Sequence, residues 1–207
     1  QVAPRDETKG SPMTRLNMIV IAACVLGLIL GGALAWKSGA FKPAPATRVG
    51  GPFQLVDQTG KPVTEAVLKG KWSVVFFGFT YCPDVCPSTL QAMGLAQERL
   101  GAKAKDVQFV FISVDPERDT PAQMAPYLDN DVFPKGTIGL TGAPAAAAAA
   151  AKAYRVFYEK QGTGADYLIN HSTPSYLMNP QGRFDRVLPF GIGPDEIVTQ
   201  ISAAMRE

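Results

Sequence analysis

The chain has 207 residues, 46% hydrophobic and 18% charged, with 20 basic and 18 acidic side chains. That is the make-up of one folded domain with appendages, and it excludes global disorder and the strongly basic field that nucleic-acid binding relies on. Three cysteines and one histidine are the whole soft-donor inventory, which rules out a disulfide scaffold, a Cys₄ or Cys₂His₂ zinc site and catalysis by two histidines.

Residues 1–17 form a short polar tail in which Met13 could be the natural start. From Met18 to Trp36 no charged group interrupts an apolar run. As a helix it would rise about 28 Å, close to the hydrocarbon thickness of a bilayer, so residues 18–36 are expected to be a single-pass transmembrane anchor. A cleaved signal peptide is the alternative. Ile21-Ala22-Ala23-Cys24 resembles a lipidation box, but apolar sequence continues past Cys24 where a mature lipoprotein turns polar. Arg5, Lys9 and Arg15 before the run balance Lys37, Lys42 and Arg48 after it, so charge does not orient it. Residues 37–51, rich in Pro, Ala and Gly, read as a linker, and residues 52–207 as the folded domain.

Within that domain the pattern is α/β. Trp72 to Phe79 is a near-continuous apolar run, as a strand covered on both faces requires. A helix is predicted to follow, with Pro87 at its first position, Gly101 past its end and Leu90, Met93, Ala96 and Leu100 on one face. Val107 to Val114 is a second buried strand, and Thr120-Pro121-Ala122-Gln123 opens a second helix with a capping box. Thr137 to Leu140 is a third strand, and the seven alanines Ala145 to Ala151 a third helix. Ser175–Met178 and Phe184–Leu188, joined by Asn179-Pro180-Gln181-Gly182, read as a hairpin, and Pro194 opens a last helix. The order β-α-β-α-β-α-β-β-α fits the thioredoxin class.

Cys82 and Cys86 lie in Cys82-Pro83-Asp84-Val85-Cys86-Pro87, between the first buried strand and its helix. Sites of α/β sheets form at the carboxyl ends of strands, and helix N-terminal N–H groups lower thiol pKa. Two cysteines four apart in a turn can form a disulfide or share a metal; an inert disulfide would remove little chain entropy across so small a loop. His171 precedes the strand predicted to lie beside the first, which brings it to the mouth of the cysteine turn. Two thiolates and one imidazole make a three-donor soft site suited to Cu(I), whereas structural zinc would want a fourth ligand. Asp84 and Asp115 are acidic neighbours, read equally well as helix-start charge and turn chemistry or as groups supporting the ligands.

The segments FGFTYCPDVCPSTL, SVDPERDTP, GLTG, AYRVFY and NHSTPSYLMNPQGRF occur in that order from about residue 50 to the C-terminus. The chain resembles the Sco/SenC family through them. The resemblance implies a membrane-anchored, thioredoxin-like copper chaperone that helps metallate the dinuclear copper centre of cytochrome c oxidase subunit II. It places Cys82, Cys86 and His171 on the family's copper ligands, with Cys82 and Cys86 also a redox-active disulfide pair. It implies the oxidase subunit and other copper chaperones as partners. One departure concerns Asn170, where the family usually has Asp: an amide adds no charge to neutralise copper or orient the imidazole. Two further functions stay open, a thiol–disulfide oxidoreductase acting on the oxidase subunit's cysteines and a redox or copper sensor. The expected location is a bacterial inner membrane with the domain in the periplasm, the mitochondrial inner membrane facing the intermembrane space being the alternative.

Overall fold

In the computed structural model, which describes residues 49–206 except Ala165 together with residues 18, 20, 21 and 24–27, the apolar runs at 72–79 and 107–114 become paired parallel strands. The strands are β1 (Gln54–Asp57), β2 (Pro62–Thr64), β3 (Trp72–Gly78), β4 (Val107–Ser113), β5 (Ile138–Thr141), β6 (Tyr158–Gln161), β7 (Leu168–His171), β8 (Ser175–Met178) and β9 (Phe184–Leu188). The α-helices are α1 (Val85–Leu100), α2 (Pro121–Leu128), α3 (Pro144–Ala153) and α4 (Pro194–Ala204). Seven strands form one sheet in the order β2-β1-β5-β4-β3-β8-β9, and β6 and β7 pair separately. β3, β4 and β5 run parallel, while β8 joins β3 antiparallel and β9 closes the hairpin.

The core sits on the two faces of β3 and β4. Phe76, Phe77, Phe109, Phe111 and Ile112 are all buried, and burying such a side chain is worth about 1.5–3 kcal/mol each. α1 packs against α4 over this sheet. Gly94 in α1 costs about 1 kcal/mol of helix propensity relative to alanine. Here, though, a Cβ would lie 2.2 Å from the Val132 carbonyl oxygen, so glycine is what lets the loop after α2 close on α1.

The predicted helix start is corrected by two residues. α1 begins at Val85 with Asp84 as its N-cap residue, so Pro87 is third in the helix and Cys86 lies inside the first turn. The N–H groups of a first turn have no intrahelical partner, so a proline there loses nothing. The first regular bond, from Ser88 N–H to the Asp84 carbonyl at 3.1 Å, falls just after it. The Thr120 cap holds: its Oγ1 accepts from Gln123 N–H at 3.3 Å. The hairpin turn also holds, with Asn179 Oδ1 accepting from Gln181 and Arg183 N–H and Gly182 at φ 71°. Two elements were not predicted, the β1–β2 edge hairpin and the β6–β7 hairpin that ends at His171.

The chain divides into two compact units, residues 1–47 and 48–207. In the second, Gly50 N–H donates to the Ala153 carbonyl at 2.9 Å, so the end of the expected linker is bonded to α3. Most of the expected anchor at 18–36, and residues 37–48 of the linker, lie outside the described residues. Among the described residues no helix is long and apolar enough to cross a membrane.

Candidate metal centre

The cysteine turn leaves the carboxyl end of β3 and enters α1 at once. Cys82 N–H donates to the Phe79 carbonyl at 3.2 Å, and Cys86 N–H points at Cys82 Sγ at 3.4 Å. Cys82 is half-buried, Cys86 is buried, and neither is in a disulfide. Cys86 packs directly against the end of β3: a Cβ at Gly78 would meet its Sγ at 2.8 Å and Phe111 at 2.9 Å. The glycine before Phe79 is therefore the space the sulfur occupies.

His171 closes the site from the far side. Its Nε2 lies 3.8 Å from Cys86 Sγ, and its ring stands edge-on to Phe79 with centroids 5.8 Å apart. Nδ1 is 2.8 Å from the Ser172 carbonyl oxygen. A carbonyl can only accept, so Nδ1 carries the proton and, in the neutral ring, Nε2 presents its lone pair to the sulfurs. Two donors sharing one ion at about 2.3 Å for sulfur and 2.0 Å for nitrogen sit roughly 3.5–3.7 Å apart, which the sulfur–nitrogen spacing nearly matches. Among the described residues no three His, Cys, Asp or Glu side chains stand in a closed metal cage. The donors are paired, and enclosing one ion takes a side-chain adjustment.

The two thiols are electrostatically unlike. A hydrogen bond from Cys86 pulls the Cys82 thiol down to about 3, with smaller help from His171 when its Nε2 carries a proton and from the backbone N–H groups of Asp84 and Cys86, against the cost of burial. The same bond, then burial and the Cys82 charge, push the Cys86 thiol up. Cys82 is thus a thiolate at neutral pH and Cys86 a thiol that donates to it. Alkylation of Cys82 by iodoacetamide should therefore be nearly independent of pH between about pH 5 and 8, whereas an ordinary thiol speeds up about tenfold per unit there. Peptide mass spectrometry separates it from Cys24 and Cys86; a tenfold rise per unit at Cys82 would contradict the assignment.

The other predicted residues are placed differently. Asp84 is exposed and makes no side-chain cap; its contribution to Cys82 is its backbone N–H. Asp115 is buried and engaged elsewhere, accepting from Tyr167 Oη at 2.5 Å and Arg118 Nε at 2.5 Å. Asn170 is exposed on β7 opposite Glu159, and it is the Ser172 carbonyl that orients the imidazole. Sequence reasoning missed Asp119. It is fully buried and accepts from Thr80 Oγ1 and Ser113 Oγ at 2.6 Å each and from Thr80 N–H at 3.2 Å, anchoring the start of the cysteine turn. Burial pushes its carboxyl above the usual carboxylate range despite these donors. The signal was a third acid, four residues after Asp115 and two after Glu117, in a loop at the carboxyl end of the neighbouring strand.

Fold and site together define an α/β protein with a thiol pair and an imidazole at the carboxyl edge of a central sheet. The SCO1/SenC family profile matches residues 41–206, and the chain belongs to that family. It is 38% identical over 198 residues to "Protein SCO1 homolog 1, mitochondrial" of Arabidopsis thaliana, covering 88% of this chain and 58% of that one. It is 42% identical over 137 residues to "Protein SenC" of Rhodobacter capsulatus, covering 66% and 61%. The chain thus spans about three fifths of the length of these curated relatives. The copper-bound structure of Arabidopsis thaliana ScoI superposes with a TM-score of 0.71 at 41% identity, over 76% of this chain and 98% of that one. Copper-bound ScoI of Bradyrhizobium japonicum gives 0.68 at 44%, over 75% and 98%. BsSco, a member of the Sco family of cytochrome c oxidase assembly proteins with an identified disulfide switch, gives 0.61 at 28%, over 78% and 96%. The thioredoxin-like class expected for the domain is the class of these structures.

Proposed function

We propose that this chain is a copper chaperone for cytochrome c oxidase. On this reading Cys82, Cys86 and His171 hold one Cu(I) as cargo for the dinuclear copper centre of subunit II. The observation that carries it is the meeting of two sulfurs and an imidazole lone pair at one strand end, with the sulfur–nitrogen spacing near that of donors sharing an ion. Copper in solved relatives supports the choice of ion. Cu(I) prefers such soft donors and tolerates three-coordination. Residues 18–36 anchor the domain, residues 37–51 tether it, and residues 52–207 carry the cargo on the periplasmic side of an inner membrane.

A thiol–disulfide exchange role is the second reading. The thiolate–thiol asymmetry of Cys82 and Cys86 favours it, as does the disulfide switch described for BsSco. The two readings separate in cells whose oxidase depends on this chain. Deleting the gene at limiting copper should abolish oxidase activity, and added copper should restore it. Restoration by a small-molecule thiol reductant and not by copper would favour the exchange reading. Normal oxidase assembly in the deletion strain at limiting copper would overturn both.

A further inference from the structure

The hairpin that delivers His171 adds no strand to the main sheet, since β6 and β7 pair only with each other. Tyr167 and Ile169 pack into the core and His171 stacks near Phe76 and Phe79, while polar and stacking contacts to the hairpin come from one short segment after β4. Asp115 accepts from Tyr167 Oη at 2.5 Å, and Tyr167 immediately precedes β7. Glu117 pairs with Lys160 of β6 at 3.2 Å. On its other side the same segment holds the cysteine turn, through Asp119 to Thr80. Arg118 belongs to both sides. Its Nε donates to Asp115, which fixes the head group. The guanidinium lies 3.6 Å from the Tyr167 ring centroid and 4.6 Å from that of Tyr81, the residue before Cys82. A planar cation between two rings holds them at a set separation, and one ring belongs to the thiol half of the site while the other belongs to the imidazole half.

We propose that the segment Asp115–Asp119 braces the two halves of the metal centre, with Arg118 as the positioning residue that sets the reach of His171 to the sulfurs. This rests on the ligand reading above, and it assigns work to a segment that supplies no ligand. The ion-pair Glu117–Lys160 is exposed and screened, so it adds little; the buried Asp115 and the ring-stacked Arg118 carry the brace.

The test is a double-mutant cycle on the reduced full chain, reading Cu(I) affinity by competition with a chromophoric Cu(I) chelator. Arg118→Gln should lower affinity about 10–100-fold, the usual cost of losing a group that orients a ligand. In the His171→Ala background the same change should cost less than about threefold, because the imidazole it positions is gone. Arg118→Lys keeps a charge beside Asp115 but no planar face, so it should behave like Arg118→Gln and serves if the latter folds poorly. Amide exchange should quicken at Leu168–His171 in both variants while β3 and β4 stay protected, which a general loss of stability would not do. Additive losses in the cycle, or wild-type affinity of both Arg118 variants, overturn the brace. Wild-type affinity of His171→Ala overturns the ligand reading instead, and the brace falls with it.

Discussion

Cys86→Ser is expected to lower Cu(I) affinity by well over about 100-fold, more than the loss of any group that merely orients a ligand. Three facts combine. The hydroxyl replaces a soft sulfur donor, anionic once copper displaces its proton, by a hard neutral one that Cu(I) disfavours. Cys86 is buried, with Gly78 and Phe111 against the sulfur, so no water stands in for the lost sulfur on that side of the site. The serine hydroxyl can still donate to Cys82 in place of the thiol, so what the variant loses is the second sulfur itself, and a single sulfur donor is left at the site. The near-identical volume of serine keeps the fold, at a cost of about 1–3 kcal/mol for a poorly partnered buried hydroxyl. Chelator competition measures the affinity and a thermal melt checks the fold. Affinity within tenfold of wild type in a folded variant would mean that Cys86 is not a ligand.

His171→Ala should reduce Cu(I) affinity by about 100-fold or more on the same scale. Its effect on sulfur chemistry should be small. The imidazole is only a secondary contributor to the Cys82 thiolate, behind the Cys86 bond, so the reduction potential of the pair should move by less than about 30 mV, the tenfold mark for two electrons. The variant therefore parts the two proposed functions. A copper carrier loses oxidase assembly at low copper and recovers with added copper, because the weakened site can be filled by mass action. A thiol reductase keeps near-normal assembly because its cysteines still cycle. A shift of the potential well beyond 30 mV would show that the imidazole governs the thiols as well as the metal.

The parts of the molecule set by local rules were legible in the sequence. β3 and β4 announce themselves as unbroken apolar runs because both faces are covered. Thr120 and the Asn179–Gly182 turn carry their own hydrogen-bond chemistry. The cysteine pair could be placed at a strand end because the strand was legible. The N-terminus of α1 was misplaced because proline is tolerated throughout a first turn, not only at its opening. The β6–β7 hairpin was invisible for a different reason. Tyr158 to Gln161 is half-buried at its first residue and exposed at the other three, so no apolar period marks it. Its polar contacts reach Asp115, Glu117 and Arg118, more than 40 residues away in the chain. Asp115 was seen as an acid near the site, but its partners and the deeper role of Asp119 depend on which strands are neighbours, which short-range pattern does not encode.

The central claim is that two sulfurs and one imidazole nitrogen hold a single Cu(I). X-ray absorption at the copper edge, on the reduced full chain loaded with one equivalent of Cu(I), reads the donor shell directly. A three-coordinate shell of two sulfurs and one nitrogen is the predicted result, with the nitrogen missing in His171→Ala and no copper retained once Cys82 and Cys86 are oxidised to a disulfide. A wild-type shell without nitrogen, or tight copper binding by the disulfide form, would contradict it.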